Sequence, residues 1–73
     1  MESERLVHMA NQIADFFKAY PEDEAIAGVE NHIRQFWDPR MRAQLSKHLE
    51  AGGAGFHSVS LAAAKRLQRN AAA

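Results

Sequence analysis

Four histidines, His8, His32, His48 and His57, are the side chains best able to hold a metal or move a proton. Their spacing argues against a metal site. No two are three or four residues apart, so no helical face would carry a pair, and no His-Glu-x-x-His run occurs. They read as scattered surface or boundary residues. The chain has no cysteine, which removes thiolate zinc sites, iron–sulfur ligation and disulfides. A nucleophile would have to be Ser3, Ser46, Ser58 or Ser60. Ser46 and His48 are two apart on a helix and so face different directions. The Gly-Gly-Ala-Gly run at 52–55 follows a helical segment, not a strand, and reads as a helix stop and linker instead of a phosphate cradle. The acidic cluster Glu22 to Glu24 reads as a solvated turn. No catalytic constellation emerges, and the chain is expected to be non-catalytic.

The remaining chemistry is that of binding. Phe16 and Phe17 are neighbours, as are Phe36 and Trp37. Neighbours on a helix diverge by about 100°, so both members of a pair cannot sit at the centre of one seam. One of each pair is a candidate for an outward apolar surface. Trp37, Arg40, Met41 and Arg42 gather around a corner that Asp38-Pro39 would fix, and Trp and Arg are enriched at binding hot spots. The corner reads either as purely structural or as a partner-binding site, in which Trp37 and Met41 are expected to form an apolar knob, with Arg40 and Arg42 as a cationic rim. Asn11 and Gln12 read either as a polar helix face or as amides that bond to a partner's backbone.

Four segments must position these groups. The first, about 4–19, carries Leu6, Met9, Ile13, Phe16 and Phe17 at helical spacing after Ser3, a suitable N-cap. Pro21 ends it and suits the first turn of a second helix, about 21–37, with Glu22, Asp23 and Glu24 at the positive end of its dipole. Ala25, Ile26, Val29, Ile33, Phe36 and Trp37 form its apolar stripe. Gly28 inside that helix costs about 1 kcal/mol relative to alanine, which a close helix approach would explain. Asp38 caps and Pro39 opens a third helix, about 39–50, with Met41, Leu45 and Leu49 on one face. A flexible glycine-rich link, 52–57, leads to a short last helix, about 59–69, capped by Ser58 or Ser60 and weakly apolar. The fold class expected is all-α: a single domain of three main helices plus a short, weaker C-terminal one.

Size and charge narrow the function further. Below about 80 residues one core rarely supplies more than about 3–5 kcal/mol, so a chain of 73 residues leans on helix packing, self-association or a partner. The formal charge is zero but divided. Seven acids face Arg5 and Lys18 up to Glu30; seven cations face Asp38 and Glu50 from Arg34 onward. Such a dipole favours oriented docking or head-to-tail packing of the chain's own helices. It argues against nucleic acid, for which a basic domain is expected. No apolar run approaches the roughly 20 residues of a membrane span, and "MESERLVHMA" lacks a signal-peptide h-region, so a cytoplasmic location is expected.

Two runs carry a resemblance. "LVHMANQIADFF" (Leu6 to Phe17) and "VENHIRQFWDPRMRAQL" (Val29 to Leu45) resemble the delta subunit family of NAD-dependent formate dehydrogenases. The second run is the more specific, with Phe36, Trp37, Asp38, Pro39, Arg40, Met41 and Arg42 all matching. "FHSVSLAAAKRL" (Phe56 to Leu67) is a looser match. The resemblance implies an accessory subunit aiding assembly, maturation or stability of a multi-subunit enzyme. The large subunits of that enzyme would hold a molybdenum or tungsten pterin, iron–sulfur clusters, flavin and NAD; this chain would hold none. The matched positions Met9, Asn11, Gln12, Phe16, Phe17, His32 and Phe36 to Arg42 become candidates for contact with those subunits. Two rival readings stay open: a small helix-turn-helix-like DNA-binding domain, with Pro39 onward as reader, and a free-standing helical homodimer.

Overall fold

The computed structural model describes residues 3–72. They form four helices, α1 (Ser3–Phe16), α2 (Glu22–Phe36), α3 (Pro39–Glu50) and α4 (Ser58–Ala72), and so the all-α class that the periodicity indicates.

Each boundary has a local cause. α1 already includes Ser3, and it stops at Phe16, short of position 19. Its last turn tightens, with the amides of Phe17 and Lys18 donating to the carbonyls of Ala14 and Asp15, the three-residue pattern of a closing helix. Pro21 lies outside α2 in an extended conformation (φ −55°, ψ 150°), and its carbonyl accepts the first bond of that helix, from Ala25 N–H. α2 ends where Trp37 turns extended (φ −91°, ψ 137°). Asp38 then caps α3, its carboxylate accepting from Met41 N–H at 2.9 Å, with Pro39 in the first turn. α3 closes in a Schellman motif: Gly53 N–H donates to His48 O and Gly52 N–H to Leu49 O. The left-handed position falls on Gly52 (φ +124°), where a side chain would be strained.

α4 is longer than the 59–69 expected. It has 15 residues, as many as α2, and packs chiefly along that helix. Neither serine caps it. Ser58 is its first helical residue, and Ser60 is its third, within the first turn and fully buried. The core gathers Leu6, Val7, Ala10 and Ala14 from α1, Ile26, Val29 and Ile33 from α2, Leu45 from α3, and Ala63 and Ala64 from α4. The alanines let helix backbones approach, and Val59 and Leu67 of α4 pack half-buried against the same core. The divided charge closes on itself across this contact. Glu30 of α2 pairs with Arg34 one turn on and with Arg66 of α4, at 2.5 and 3.7 Å.

Candidate functional site

The two aromatic pairs split as helical geometry requires. Phe16 is 75% exposed while Phe17 is half-buried against the core; Phe36 is 70% exposed while Trp37 is 5% exposed and part of the core. The outward members do not stand alone. The Phe16 ring meets Phe17 edge-on at 5.1 Å between centroids, and the ring of Tyr20, 52% exposed, lies 5.6 Å from that of Phe17. Phe17 in turn lies over Gly28: a Cβ there would sit 2.6 Å from the ring. From Gly28 one helical row continues through His32 to Phe36, at spacings of four residues, with the His32 and Phe36 rings 4.8 Å apart. The result is an aromatic face that begins at the end of α1 and follows one side of α2.

One participant escaped the sequence reading and another was read only in part. Tyr20 lies outside the periodic segment, immediately before Pro21, and gave no helical signal. Gly28 was legible as a close-approach residue, but its partner, a phenyl ring from the preceding turn, was not.

The corner at Asp38-Pro39 differs from the expected knob. Trp37 points into the core because it stands four residues after buried Ile33, on the Ile26–Val29–Ile33 side of α2, and its N–H still donates to Ile33 O. Met41 is half-buried and packs against the same core. The expected apolar knob of Trp37 and Met41 is therefore an interior feature, and the outward apolar group at this corner is Phe36. Arg40 is exposed; Arg42 is half-buried, with its Nε shielded from water and without a hydrogen-bond partner among the described residues. Asp38 is engaged in capping α3, and Pro39 fixes the start of that helix.

Asn11 is likewise turned inward on its own chain. Its Nδ2 donates to Gly55 O at 2.9 Å, and its Oδ1 accepts from His57 N–H at 2.9 Å and from the Ser60 hydroxyl. One amide thus ties α1 to the glycine-rich link and to the start of α4. The expectation that Asn11 bonds a partner's backbone gives way to this internal latch. Gln12 is exposed beside it, and Met9 is half-buried against the core.

The histidines are dispersed. Among the described residues no group of three or more His, Cys, Asp or Glu side chains is placed to hold a metal ion. His48 Nε2 donates to Ala54 O at 2.8 Å, and its ring lies edge-on to Phe56. His57 faces Asp15 across 3.8 Å at an exposed position. Among the described residues no helix is long and apolar enough to cross a membrane.

The sequence profile of the NADH-dependent formate dehydrogenase delta subunit, FdsD, matches residues 5–64. No curated protein and no solved structure matches the chain.

Proposed function

The chain belongs to the delta subunit family of NADH-dependent formate dehydrogenase, and from that premise we propose that it is a non-catalytic accessory subunit that docks on the enzyme's large subunits through its aromatic face. The observation that carries this reading is the exposure of Phe16, Tyr20 and Phe36 on a small bundle whose core is already complete without them. Exposed rings gathered on one face mark a contact surface more than they serve a monomer. In this reading the docked subunit aids assembly, maturation or stability of the complex in the cytoplasm. The molybdenum or tungsten pterin, iron–sulfur clusters, flavin and NAD belong to the large subunits; this chain offers no cysteine for a cluster.

The distribution of cations supports a protein partner over duplex DNA. Arg34 and Arg66 are held on Glu30, which takes two of the seven cations from Arg34 onward away from phosphates, and the formal net charge of zero lacks the basic excess of a nucleic-acid domain. In isolation the same aromatic face is expected to pair with itself.

The test is co-expression of a Phe16→Ser, Phe36→Ser double variant with the large subunits. Both side chains are exposed, so the variant is expected to keep its helical circular dichroism. It is expected to be lost from the purified complex and to lower the yield of active enzyme. Recovery of the folded variant at the wild-type ratio overturns the assignment of this face.

A further inference from the structure

The aromatic face is bounded by charges of opposite sign at its two ends. Along α2, Glu24, Gly28, His32 and Phe36 stand four residues apart and share one row. Along α1, Arg5, Met9, Ile13 and Phe17 do the same. The short turn at 17–21 joins the two helices, so α1 runs back alongside α2, and the Phe17 ring over Gly28 fixes which ends meet. Glu24 and its neighbour Asp23 therefore flank the end of the face that carries Phe16, Phe17 and Tyr20. Arg5 lies at the far end of α1, and Arg40 follows Phe36 at the start of α3. All four charged side chains are exposed, and none makes an ion pair among the described residues. The rings are divided in the same way. Phe16, Phe17 and Tyr20 cluster at the acidic end, and Phe36, with His32 beside it, stands toward the cationic end.

A surface with this layout is complementary to itself. Two copies placed face to face about a two-fold axis at right angles to α2 lie antiparallel. Each Phe36 then meets the ring cluster of the other copy, and each Arg5–Arg40 end meets the other's Asp23–Glu24 end. The two contacts are identical by symmetry. A parallel pair would set like charges opposite each other at both ends, which is unfavourable. A specific interface buries about 800 Å2 on each partner, about a sixth of the 4860 Å2 that one copy exposes.

We propose that the free chain forms an antiparallel two-fold homodimer through this face, held by ring contacts and by ion pairs between copies at both ends. The inference rests on the reading of the aromatic face as a contact surface and adds its occupant in the absence of the large subunits: a second copy. The pair must open before the same rings can dock.

The experiment uses the full chain. Sedimentation equilibrium over a concentration series is expected to show a monomer–dimer equilibrium. Arg5→Glu with Arg40→Glu makes both ends acidic; Asp23→Lys with Glu24→Lys makes both basic. Each variant alone is expected to weaken dimerisation by about tenfold with unchanged circular dichroism. An equimolar mixture of the two is expected to restore it. Orientation is read separately, with these charges intact. The chain has no cysteine, so Ala27→Cys, at an exposed position of α2, carries a single nitroxide. Mixed with isotopically labelled wild type, it is expected to broaden the amides of the other copy most strongly around 36–40. A monomer at every concentration, broadening strongest around 23–28, or a dimer that both charge reversals leave intact overturns the proposal. A monomer that still captures a large subunit through positions 16 and 36 sinks self-pairing alone; a dimer with no such capture sinks the docking role alone.

Discussion

Replacing Asn11 by alanine tests how α4 is fixed to the rest of the bundle. The change removes one donor and one shared acceptor: Nδ2 to Gly55 O, and Oδ1 from His57 N–H and from the Ser60 hydroxyl. A typical intramolecular hydrogen bond contributes about 0.5–1.5 kcal/mol net. The bonds to Gly55 and His57 lie toward solvent, where water replaces them, and fall at the low end of that range. Ser60 is fully buried, but its hydroxyl also lies 3.1 Å from His57 O, so it keeps an acceptor. The sum is about 2 kcal/mol. Set against the about 3–5 kcal/mol one small core supplies, this halves the stability. It corresponds to a fall in Tm of roughly 8–16 °C for a domain of this size. Chemical denaturation followed by far-UV circular dichroism reads the loss directly. Ser60→Ala completes a double-mutant cycle, in which a coupling of about 1 kcal/mol is expected because the two side chains share a bond. A loss below about 0.5 kcal/mol for Asn11→Ala, or strict additivity with Ser60→Ala, would refute the idea that this amide latches α4.

Two further substitutions separate interior from surface. Gly28→Ala is expected to displace the Phe17 ring, because a Cβ would lie 2.6 Å from it; the variant is less stable than wild type in urea. In a Phe17→Ala background the same change is expected to stabilise by about 1 kcal/mol through helix propensity. Equal effects in both backgrounds would contradict the contact. Trp37→Ala is expected to cost about 3–5 kcal/mol, enough to unfold the chain, whereas Phe36→Ala stays within about 0.5 kcal/mol of wild type. Thermal melts of the two variants check the contrast between these neighbours.

The breaks between helices were legible because they rest on local chemistry. Asp38 and Pro39 define the start of α3 by capping and ring geometry, and Gly52 and Gly53 define its end through a motif that needs a positive φ. The splitting of Phe16 from Phe17 and of Phe36 from Trp37 was legible from the helical period alone. Which member turns inward was not, because the apolar stripe included both Phe36 and Trp37, and only the position of the core picks the row through Ile33 that carries Trp37. α4 was underestimated because Ala63 and Ala64 carry little hydrophobic signal. Their value comes from small size at a close helix contact, which only packing reveals. Asn11 was read as a polar face or a partner contact because its acceptors and donors lie 44 to 49 residues away in the chain. Tyr20 joined the candidate site from a turn, where periodicity offers no guidance.

The docking claim is most directly tested by photo-crosslinking. A benzophenone amino acid is placed in turn at positions 16, 36 and 54 of this chain, co-expressed with the large formate dehydrogenase subunits. Position 54 is exposed in the glycine-rich link and serves as the reference. The account predicts covalent capture of a large subunit from 16 and 36 and none from 54. Capture from 54 with silence at 16 and 36 would contradict it.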